Sequence, residues 1–492
     1  MKEAYLAIDF GTSNVHVTLI DAMTTIRIAG AQKKYGWYYP NHNVIELHIE
    51  EIWAASEWAV GEVLRQMPTD VQILAISFSY FGDSITPVDE RGNALYGMMP
   101  GFCGRSHQEV KTIADAIGAD EYARITGNTL STLSTPSKIM WLRNNHPDVF
   151  AQTAAFYSNQ QYVMHKLGLG DVQDRTMAAR KLAINMKADC WSAPILDLSG
   201  VTERQMGTTI VESATVVGKI DHYGSVRLPG KIPVTIGCHD VSASLLSAGV
   251  TVDKPDTIGV LMGTYEQMGY FSDEFVDGCN DFGDSLIFSC CYSSPFKNKY
   301  TVMDAFPTAG ALLEWFCKNI LHDLDVDIGK LIADTDLDCN GTLYMLPYVE
   351  NFHGAIVNMS LSTTTDDIFQ GILESLAYQF VSCVDYIRST RKEPFTKLHF
   401  GGGGSRTDKL LQLRADLINA PLGRMENVEL PTLGACMLAG LGNGFYASID
   451  DASRHMHNPV HYFYPREEEG DKYRKRLTEY RTLSREYLGW HQ

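Results

Sequence analysis

A strand–turn–strand unit that occurs twice constrains the fold of this chain more than any other feature. In the first copy, Tyr5 and Ala7 alternate with other residues before the turn, and Val15, Val17 and Leu19 alternate after it. This spacing predicts two strands joined by the turn at 9–14. In the second half of the chain, an apolar run at 258–262 leads into Gly263 and Thr264, and residues 267–271 can form the returning strand. The repetition predicts two related halves, 1–246 and 247–492.

Both turns have residues suited to holding phosphate. Gly11 permits a tight turn whose N–H groups can point at phosphate oxygens, and Gly263 is placed in the same way. Asp9 precedes the first turn and can hold Mg²⁺, because magnesium prefers a carboxylate together with phosphates. For either turn alone, an ordinary hairpin is the alternative. The chain has neither the P-loop pattern nor a strand-to-helix GxGxxG.

Two further segments place glycine or acid at strand ends. The glycine run 401–404 joins a predicted strand to a helix, so its backbone can approach a flat ligand closely, with a flexible loop as the alternative. Residues 237–240 place Asp240 in the first turn of a helix, where the helix dipole favours the charged carboxylate of a proton acceptor. Capping of that helix is the alternative role for Asp240.

Composition and charge exclude several classes of protein. The 492 residues are 45% hydrophobic and 20% charged, which is enough for a large core and excludes a mainly disordered chain. The formal net charge of −18 argues against nucleic acid or an anionic membrane as partner. The sequence has neither an apolar run of membrane length nor a signal peptide. It has ten cysteines but no CxxC pair. Together these features predict a cytoplasmic enzyme. His455, His457 and His461 could bind a metal, but surface histidines are the favoured interpretation.

Six segments in chain order resemble motifs of the FGGY family of carbohydrate kinases, and together they cover nearly the whole chain. They are residues 9–13, 137–145, 237–240, 263–266, 402–416 and 429–436. The resemblance implies an α/β fold of two actin-like (ribonuclease H-like) domains around a central cleft. The domain at 1–246 would hold the sugar and the catalytic base, and the domain at 247–492 would hold ATP. A homodimer is compatible with the family.

The resemblance also implies a role for each matched position. Asp240 would be the general base that takes a proton from the sugar hydroxyl as this hydroxyl attacks the γ-phosphate. Asp9 would position Mg²⁺. The residues implied at the nucleotide are Gly11, Thr12, Ser13, Gly263 and Thr264 at the phosphates, and Gly403, Gly404 and Asp408 at the adenosine. Those implied at the sugar are Asp83, Arg105, His239 and Asp240.

The sugar itself is suggested by shorter matches. Many family members carry Trp-x-Asp-x-Arg after the third strand, whereas this chain keeps Arg105 but has Cys103 in place of the Asp. The cysteine, the Asn14-Val15 pair and the segment 462–465 are similar to L-fuculokinases. An ion pair between Arg105 and Glu109 at the surface is the alternative role for this arginine.

We therefore predict an ATP-dependent kinase of a small ketose, such as L-fuculose or a related deoxyketose or ketopentose, in an L-fuculokinase-like or xylulokinase-like subgroup. A kinase of a polyol or sugar acid, such as glycerol or gluconate, is the second hypothesis. A nucleotide-binding switch without transferase activity is the third. Asp240 argues against the third hypothesis, since such a switch has no sugar hydroxyl to deprotonate.

Overall fold

The strands of the chain form two larger sheets, one from each half of the sequence. The computed structural model describes residues 1–41, 44–251, 256–263, 265–276, 288–306, 309–323, 325–337, 341, 343–346, 354–427 and 429–489. Within these residues, each of the two larger sheets contains seven strands. No helix of the described residues is both long enough and apolar enough to cross a membrane.

The strands are β1 (Lys2–Phe10), β2 (Asn14–Asp21), β3 (Arg27–Lys34), β4 (Tyr38–Asn41), β5 (Val44–Glu46), β6 (Val71–Tyr80), β7 (Thr86–Val88), β8 (Ala155–Tyr157), β9 (Gln173–Asp174), β10 (Ile184–Asn185), β11 (Cys190–Trp191), β12 (Ile210–Val211), β13 (Val216–Tyr223), β14 (Val226–Thr235), β15 (Cys238–His239), β16 (Thr257–Met262), β17 (Glu266–Ser272), β18 (Phe288–Ser293), β19 (Tyr300–Phe306), β20 (Tyr344–Leu346), β21 (Ala355–Val357), β22 (Lys397–Gly401), β23 (Leu422–Met425) and β24 (Val460–Phe463).

The α-helices are α1 (Ile49–Gln66), α2 (His107–Ile117), α3 (Ala119–Thr126), α4 (Thr135–Asn145), α5 (Pro147–Gln152), α6 (Asn159–Lys166), α7 (Arg175–Ala179), α8 (Ala193–Ser199), α9 (Glu203–Met206), α10 (Asp240–Ser247), α11 (Gly310–Phe316), α12 (Ile328–Asp334), α13 (Thr365–Thr390), α14 (Asp408–Ile418), α15 (Leu430–Gly442), α16 (Ile449–His455) and α17 (Glu467–Gly489).

The first sheet has the order β13-β14-β6-β1-β2-β3, with β15 also paired to β6. The strands β1 to β3 form an antiparallel meander, whereas β6 runs parallel to β1, β14 and β15. Most of strand β1 is buried because α1 covers one face of the sheet and α15 lies on the other. Its side chains from Ala4 to Ile8 are therefore apolar on both faces, as in other doubly covered strands.

The second sheet repeats this connectivity. Strand β16 pairs antiparallel with β17, β17 pairs antiparallel with β19, and β22 returns parallel to β16. In the order β18-β19-β17-β16-β22-β23-β24, the hairpin of β16 and β17 thus takes the position that β1 and β2 have in the first sheet. The predicted α/β class with two related halves is confirmed, and the exact boundary near residue 246 stays a prediction.

Helices α10 and α15 join the two halves. The two helices pack so closely at Gly434 that a Cβ there would lie 1.9 Å from the carbonyl oxygen of Ala243. The chain after α15 also returns to the first half, where the Tyr446 hydroxyl donates to the Ala22 carbonyl at 2.6 Å. The two sheets are therefore held by one shared helical layer, whose apolar residues belong to a single continuous core.

Candidate active site

Three aspartates lie at the carboxyl ends of three neighbouring parallel strands, at one edge of the first sheet. Asp9 lies near the end of β1, Asp83 follows β6, and Asp240 follows β15. The register aligns Asp9 with Ser79, and Ser79 with Cys238, so these strands end at the same level. Ligands of open α/β sheets bind outside the carboxyl ends of parallel strands. The structure therefore brings together three of the predicted site residues at a position suited to a ligand.

Asp240 is the first residue of α10, and its side chain is 32% exposed. One carboxylate oxygen accepts a hydrogen bond from the Val241 N–H at 2.7 Å. Burial, and to a smaller extent the negative charges of Asp9 and Asp83, raise the pKa of Asp240 to about 7. A carboxylate with a pKa near neutrality can both accept and release a proton under ordinary conditions.

His239 holds the Asp240 carboxylate from the adjacent position. Its Nε2 lies 3.2 Å from Asp240 Oδ1, and its Nδ1 lies 3.1 Å from the hydroxyl of Tyr292. Burial, together with the positive charge of Arg180, lowers the pKa of His239 well below its usual value, so the ring is neutral. A neutral ring that donates from Nε2 to the carboxylate accepts the Tyr292 hydroxyl at Nδ1. The sequence did not indicate Tyr292, which comes from strand β18 of the second half.

Arg180 is the main residue of this site that the sequence did not indicate. Its guanidinium pairs with Asp83 and donates to Asn128 Oδ1 at 3.0 Å. It also lies over the ring of Tyr292, 5.0 Å from the ring centroid. Its side chain is only 6% exposed. A buried arginine immediately after the short helix α7 has no recognisable local pattern, because its partners are distant in the sequence.

The first predicted phosphate turn lies between β1 and β2. The Gly11 N–H donates to the Asn14 carbonyl at 3.0 Å, which closes the turn and leaves Thr12 and Ser13 exposed. Two aromatic residues that the sequence did not indicate hold its outer side: the Tyr35 hydroxyl donates to the Gly11 carbonyl, and Trp37 Nε1 donates to the Thr12 carbonyl at 2.9 Å. The turn is therefore preorganised before any ligand binds.

The second predicted phosphate turn follows β16. Gly263 is exposed and its N–H donates to the Tyr265 carbonyl at 2.9 Å, whereas Thr264 lies outside the described residues. Behind this turn, both carboxylate oxygens of Glu266 accept hydrogen bonds from Arg414 of α14 at 2.7 and 2.8 Å, with both side chains fully buried. This bidentate pair fixes the start of β17 against the helix that follows the glycine run.

The glycine run lies directly against the second turn. Gly402 has φ +85°, and a Cβ there would lie 2.5 Å from the carbonyl oxygen of Met262, the last residue of β16. Only a residue without a side chain fits this approach. By contrast, a Cβ at Gly403 would meet no atom within 4 Å, so the backbone at this position faces open space. A flat ligand could approach the chain there.

Asp408 begins α14 and is paired with Arg424 of β23, although the Asp408 side chain remains 68% exposed. The two residues lie at a cavity of about 630 Å³, a size that admits a nucleoside. The cavity is lined by Arg406, Asp408, Arg424, Met425, Glu426, Pro459, Val460 and His461. Because it adjoins the glycine run along the chain, this cavity is the candidate adenosine site.

Asp9 has the features of a magnesium position. Its Oδ1 atom is buried, and no atom of the described residues makes a hydrogen bond to it. Burial raises the pKa of Asp9 to about 6, while the nearby Ser79 hydroxyl and His16 oppose this rise. The described residues contain no group of three His, Cys, Asp or Glu side chains that could hold a metal ion by themselves. A single carboxylate fits Mg²⁺, which takes its other ligands from phosphates and water.

Arg105 is not joined to this cluster by any contact within the described residues. Its side chain is fully buried, and Nη1 donates to Glu46 Oε1 at 2.9 Å while Nη2 donates to the Ile45 carbonyl at 3.0 Å. The guanidinium also lies over the Trp141 ring, 4.7 Å from its centroid. The alternative pair with Glu109 is wrong, because Glu109 instead accepts a hydrogen bond from Asn144 at 3.0 Å. A contact between Arg105 and the sugar stays a prediction.

Comparison with known proteins identifies the class to which this fold and site belong. The model of the FGGY family of carbohydrate kinases, N-terminal domain, matches residues 4–247, and the C-terminal domain model matches residues 284–442. The chain therefore belongs to the FGGY family of carbohydrate kinases. It is a phosphotransferase that uses ATP to phosphorylate a sugar or polyol.

Individual relatives differ in the sugar that they act on. The chain is 24% identical to an L-fuculokinase of Escherichia coli O157:H7 over 482 residues, 95% of this chain and 98% of the relative. A ligand-bound xylulose kinase from Lactobacillus acidophilus superposes with a TM-score of 0.86 at 18% identity, over 98% of this chain and 97% of that protein. The gluconate kinase of the same organism gives 0.86 and 18% over the full length of both chains. These likenesses confirm the actin-like fold and leave the substrate open.

Proposed function

We propose that this protein transfers the γ-phosphoryl group of Mg-ATP to a hydroxyl of a small ketose, such as L-fuculose or a related deoxyketose or ketopentose. The observation that carries this proposal is the position of Asp240, at the start of α10 and at the edge where β1, β6 and β15 end. A switch that only hydrolyses nucleotide has no need of a second carboxylate beside the one that faces the phosphates.

Asp240 acts as the general base in the proposed reaction. Its carboxylate accepts the proton of the attacking hydroxyl as the bond between that oxygen and the γ-phosphorus forms and the bond to the β-phosphate oxygen breaks. His239 keeps the carboxylate oriented through the Nε2–Oδ1 contact of 3.2 Å. One well-placed base is sufficient, because positioning and charge stabilisation supply most of the rate in phosphoryl transfer.

Asp9 and the two glycine turns serve the phosphates. Asp9 would hold the ion, and Mg²⁺ bound there would neutralise negative charge on the phosphates during transfer. The N–H groups around Gly11 and Gly263 would bind phosphate oxygens, together with the hydroxyls of Thr12, Ser13 and Thr264. Gly403, Gly404 and Asp408 would border the adenosine, with the cavity beside Asp408 as its pocket.

The proposal is tested by measuring ADP release with Mg-ATP against ketoses, aldoses, polyols and sugar acids. We expect release that depends on a neutral ketose and disappears when EDTA removes the divalent cation. Release that occurs equally without any sugar would support a nucleotide switch instead.

Light scattering of the same preparation tests whether the protein is a homodimer, which also stays a prediction.

A further inference from the structure

The negative charge at the proposed sugar site restricts which substrates can bind there. Asp9, Asp83 and Asp240 place three carboxylates at this edge, and Arg180 pairs with one of them. Among the described residues, no second Lys or Arg pairs with any of the three. His239 contributes no charge, because burial and the Arg180 cation hold its pKa well below the usual value. A substrate that carries its own carboxylate would meet net repulsion here.

The pair formed by Asp83 and Arg180 is rigidly held. Asp83 follows Gly82 in a left-handed conformation with φ +57°, and its side chain is 13% exposed. A Cβ added at Gly101 would lie 2.7 Å from the Asp83 Cβ, so the backbone of the neighbouring loop covers the aspartate closely. Arg180 is fixed on its other side by Asn128 and by the ring of Tyr292. These contacts hold both side chains of the pair in place.

The pair still has one donor and one acceptor to offer. Asp83 Oδ1 and Arg180 Nε are both buried, and neither has a hydrogen-bond partner among the described residues. Buried polar atoms without partners are costly, and a ligand or water commonly satisfies them. A hydroxyl can satisfy either atom, since it donates to a carboxylate and accepts from a guanidinium. A carboxylate ligand cannot donate to Asp83.

From this geometry we infer that the Asp83–Arg180 pair is a charge-neutral clamp for a hydroxyl group, which selects uncharged sugars and polyols and excludes sugar acids. The inference rests on the proposed function and names the residues that would exclude charged substrates. Because Asp83 already neutralises the charge of Arg180, the arginine would bind a sugar hydroxyl and would not attract the carboxylate of a sugar acid. Sites built around hydroxyl hydrogen bonds discriminate strongly against ligands that leave those groups unpaired.

The test compares kcat/KM for L-fuculose, D-xylulose and glycerol with kcat/KM for D-gluconate. We expect the wild-type protein to prefer a neutral substrate. Asp83→Asn should lower kcat/KM for the best neutral substrate by about 10-fold or more, the scale of one lost charge-assisted hydrogen bond. The same variant should raise the ratio of gluconate to neutral substrate by at least about 10-fold, because Arg180 would then be free to attract a carboxylate.

Asp115→Asn is the matched control, since Asp115 is an exposed carboxylate of the same half and is paired with Lys111. This variant should change neither kcat/KM for the neutral substrate nor the ratio of gluconate to neutral substrate. Arg180→Gln gives a second readout if Asp83→Asn fails to fold: it should raise KM for the neutral substrate without any relative gain for gluconate. A wild-type preference for gluconate, or an unchanged ratio in Asp83→Asn, would overturn the clamp while leaving the kinase proposal intact. Failure of the wild type to release ADP with every sugar would instead contradict the proposed function.

Discussion

At the scale of single residues, burial decides the protonation state of the acidic groups in the candidate active site. Asp240 lies in a low-dielectric cleft beside two other carboxylates, and its pKa rises from 3.8 to about 7. The change has the sign expected for a buried acid, because both desolvation and like charges disfavour the ionised form. Arg180 limits the rise through its positive charge. The proposed base is therefore poised near neutrality, and we expect its ionisation to control activity.

Sugar phosphorylation should accordingly depend on pH with an acid limb near neutrality. Asp240 accepts a proton only when it is ionised, so kcat/KM for the sugar should fall by about tenfold for each pH unit below a pKa of about 7. Initial rates of ADP release between pH 5 and 9 (roughly the range in which such proteins stay folded) measure this limb. A profile that stays flat down to pH 5 would show that Asp240 is not the group that limits the reaction.

Replacing Asp9 tests whether this residue serves the binding of Mg-ATP and not the binding of the sugar. Asp9→Ala should depress turnover and weaken the use of Mg-ATP, since the proposed magnesium position loses its carboxylate. Sugar affinity measured by calorimetry without nucleotide should stay nearly unchanged. Asp70→Ala is a suitable control, because Asp70 is exposed at the opposite end of the first sheet and should leave both quantities unaltered. Loss of sugar binding in Asp9→Ala would indicate a structural role.

At the scale of elements, the environment of Arg105 differs from that of a ligand-binding side chain. Three of its nitrogen atoms donate to Cys103 Sγ, Glu46 Oε1 and the Ile45 carbonyl, at 3.1, 2.9 and 3.0 Å respectively. These contacts tie the loop after β7 to the short strand β5. A planar guanidinium can make all three bonds at once, whereas an ammonium group cannot copy this geometry.

Arg105→Lys should therefore destabilise the fold. We expect the free energy of unfolding to fall by about 1–3 kcal/mol, because buried hydrogen bonds to Glu46 and Ile45 are left incomplete. Denaturant unfolding measures this change, and Arg124→Lys in an exposed pair with Glu121 should stay within about 0.5 kcal/mol of the wild type. An unchanged stability with a sugar KM raised by about 10-fold or more would instead support the contact between Arg105 and the sugar.

Elements with a local signal could be predicted from the sequence. The first hairpin, the strand β6 and the helix α10 after β15 follow from apolar alternation, from glycine turns and from a carboxylate at a helix start. Residues 136–150 have helical spacing in the sequence, but the helix is divided at His146, whose ψ of +62° leaves the helical region. The residue before a proline avoids the helical conformation, and Pro147 then starts α5.

Contacts between distant residues could not be predicted in this way. Arg180 and Asp83 are 97 residues apart, and Arg105 and Glu46 are 59 residues apart. No local pattern marks such pairs, because each forms only after separate elements have packed. The family resemblance supplied the positions of the matched motifs, whereas Arg180, Tyr292 and Tyr35 lie outside those motifs and were found from the structure.

At the scale of the whole molecule, the two halves meet through residues that also belong to the site. Tyr292 from β18 contacts both His239 and Arg180 of the first half. Helix α10, which begins at Asp240, packs against α15 at Ala243. Movement of one half relative to the other would therefore change the surroundings of the base. The proposed deprotonation of the sugar hydroxyl depends on Asp240 at this junction.

The most direct test of this account is sugar-dependent ADP release by the wild type and by Asp240→Asn, measured with the best neutral substrate. The substitution keeps the size of the side chain and removes the base, so turnover should fall by at least about 10²-fold while nucleotide affinity stays nearly constant. Asp148→Asn, an exposed aspartate in the first turn of α5, should match the wild type. Near-normal turnover in Asp240→Asn would contradict the proposed mechanism.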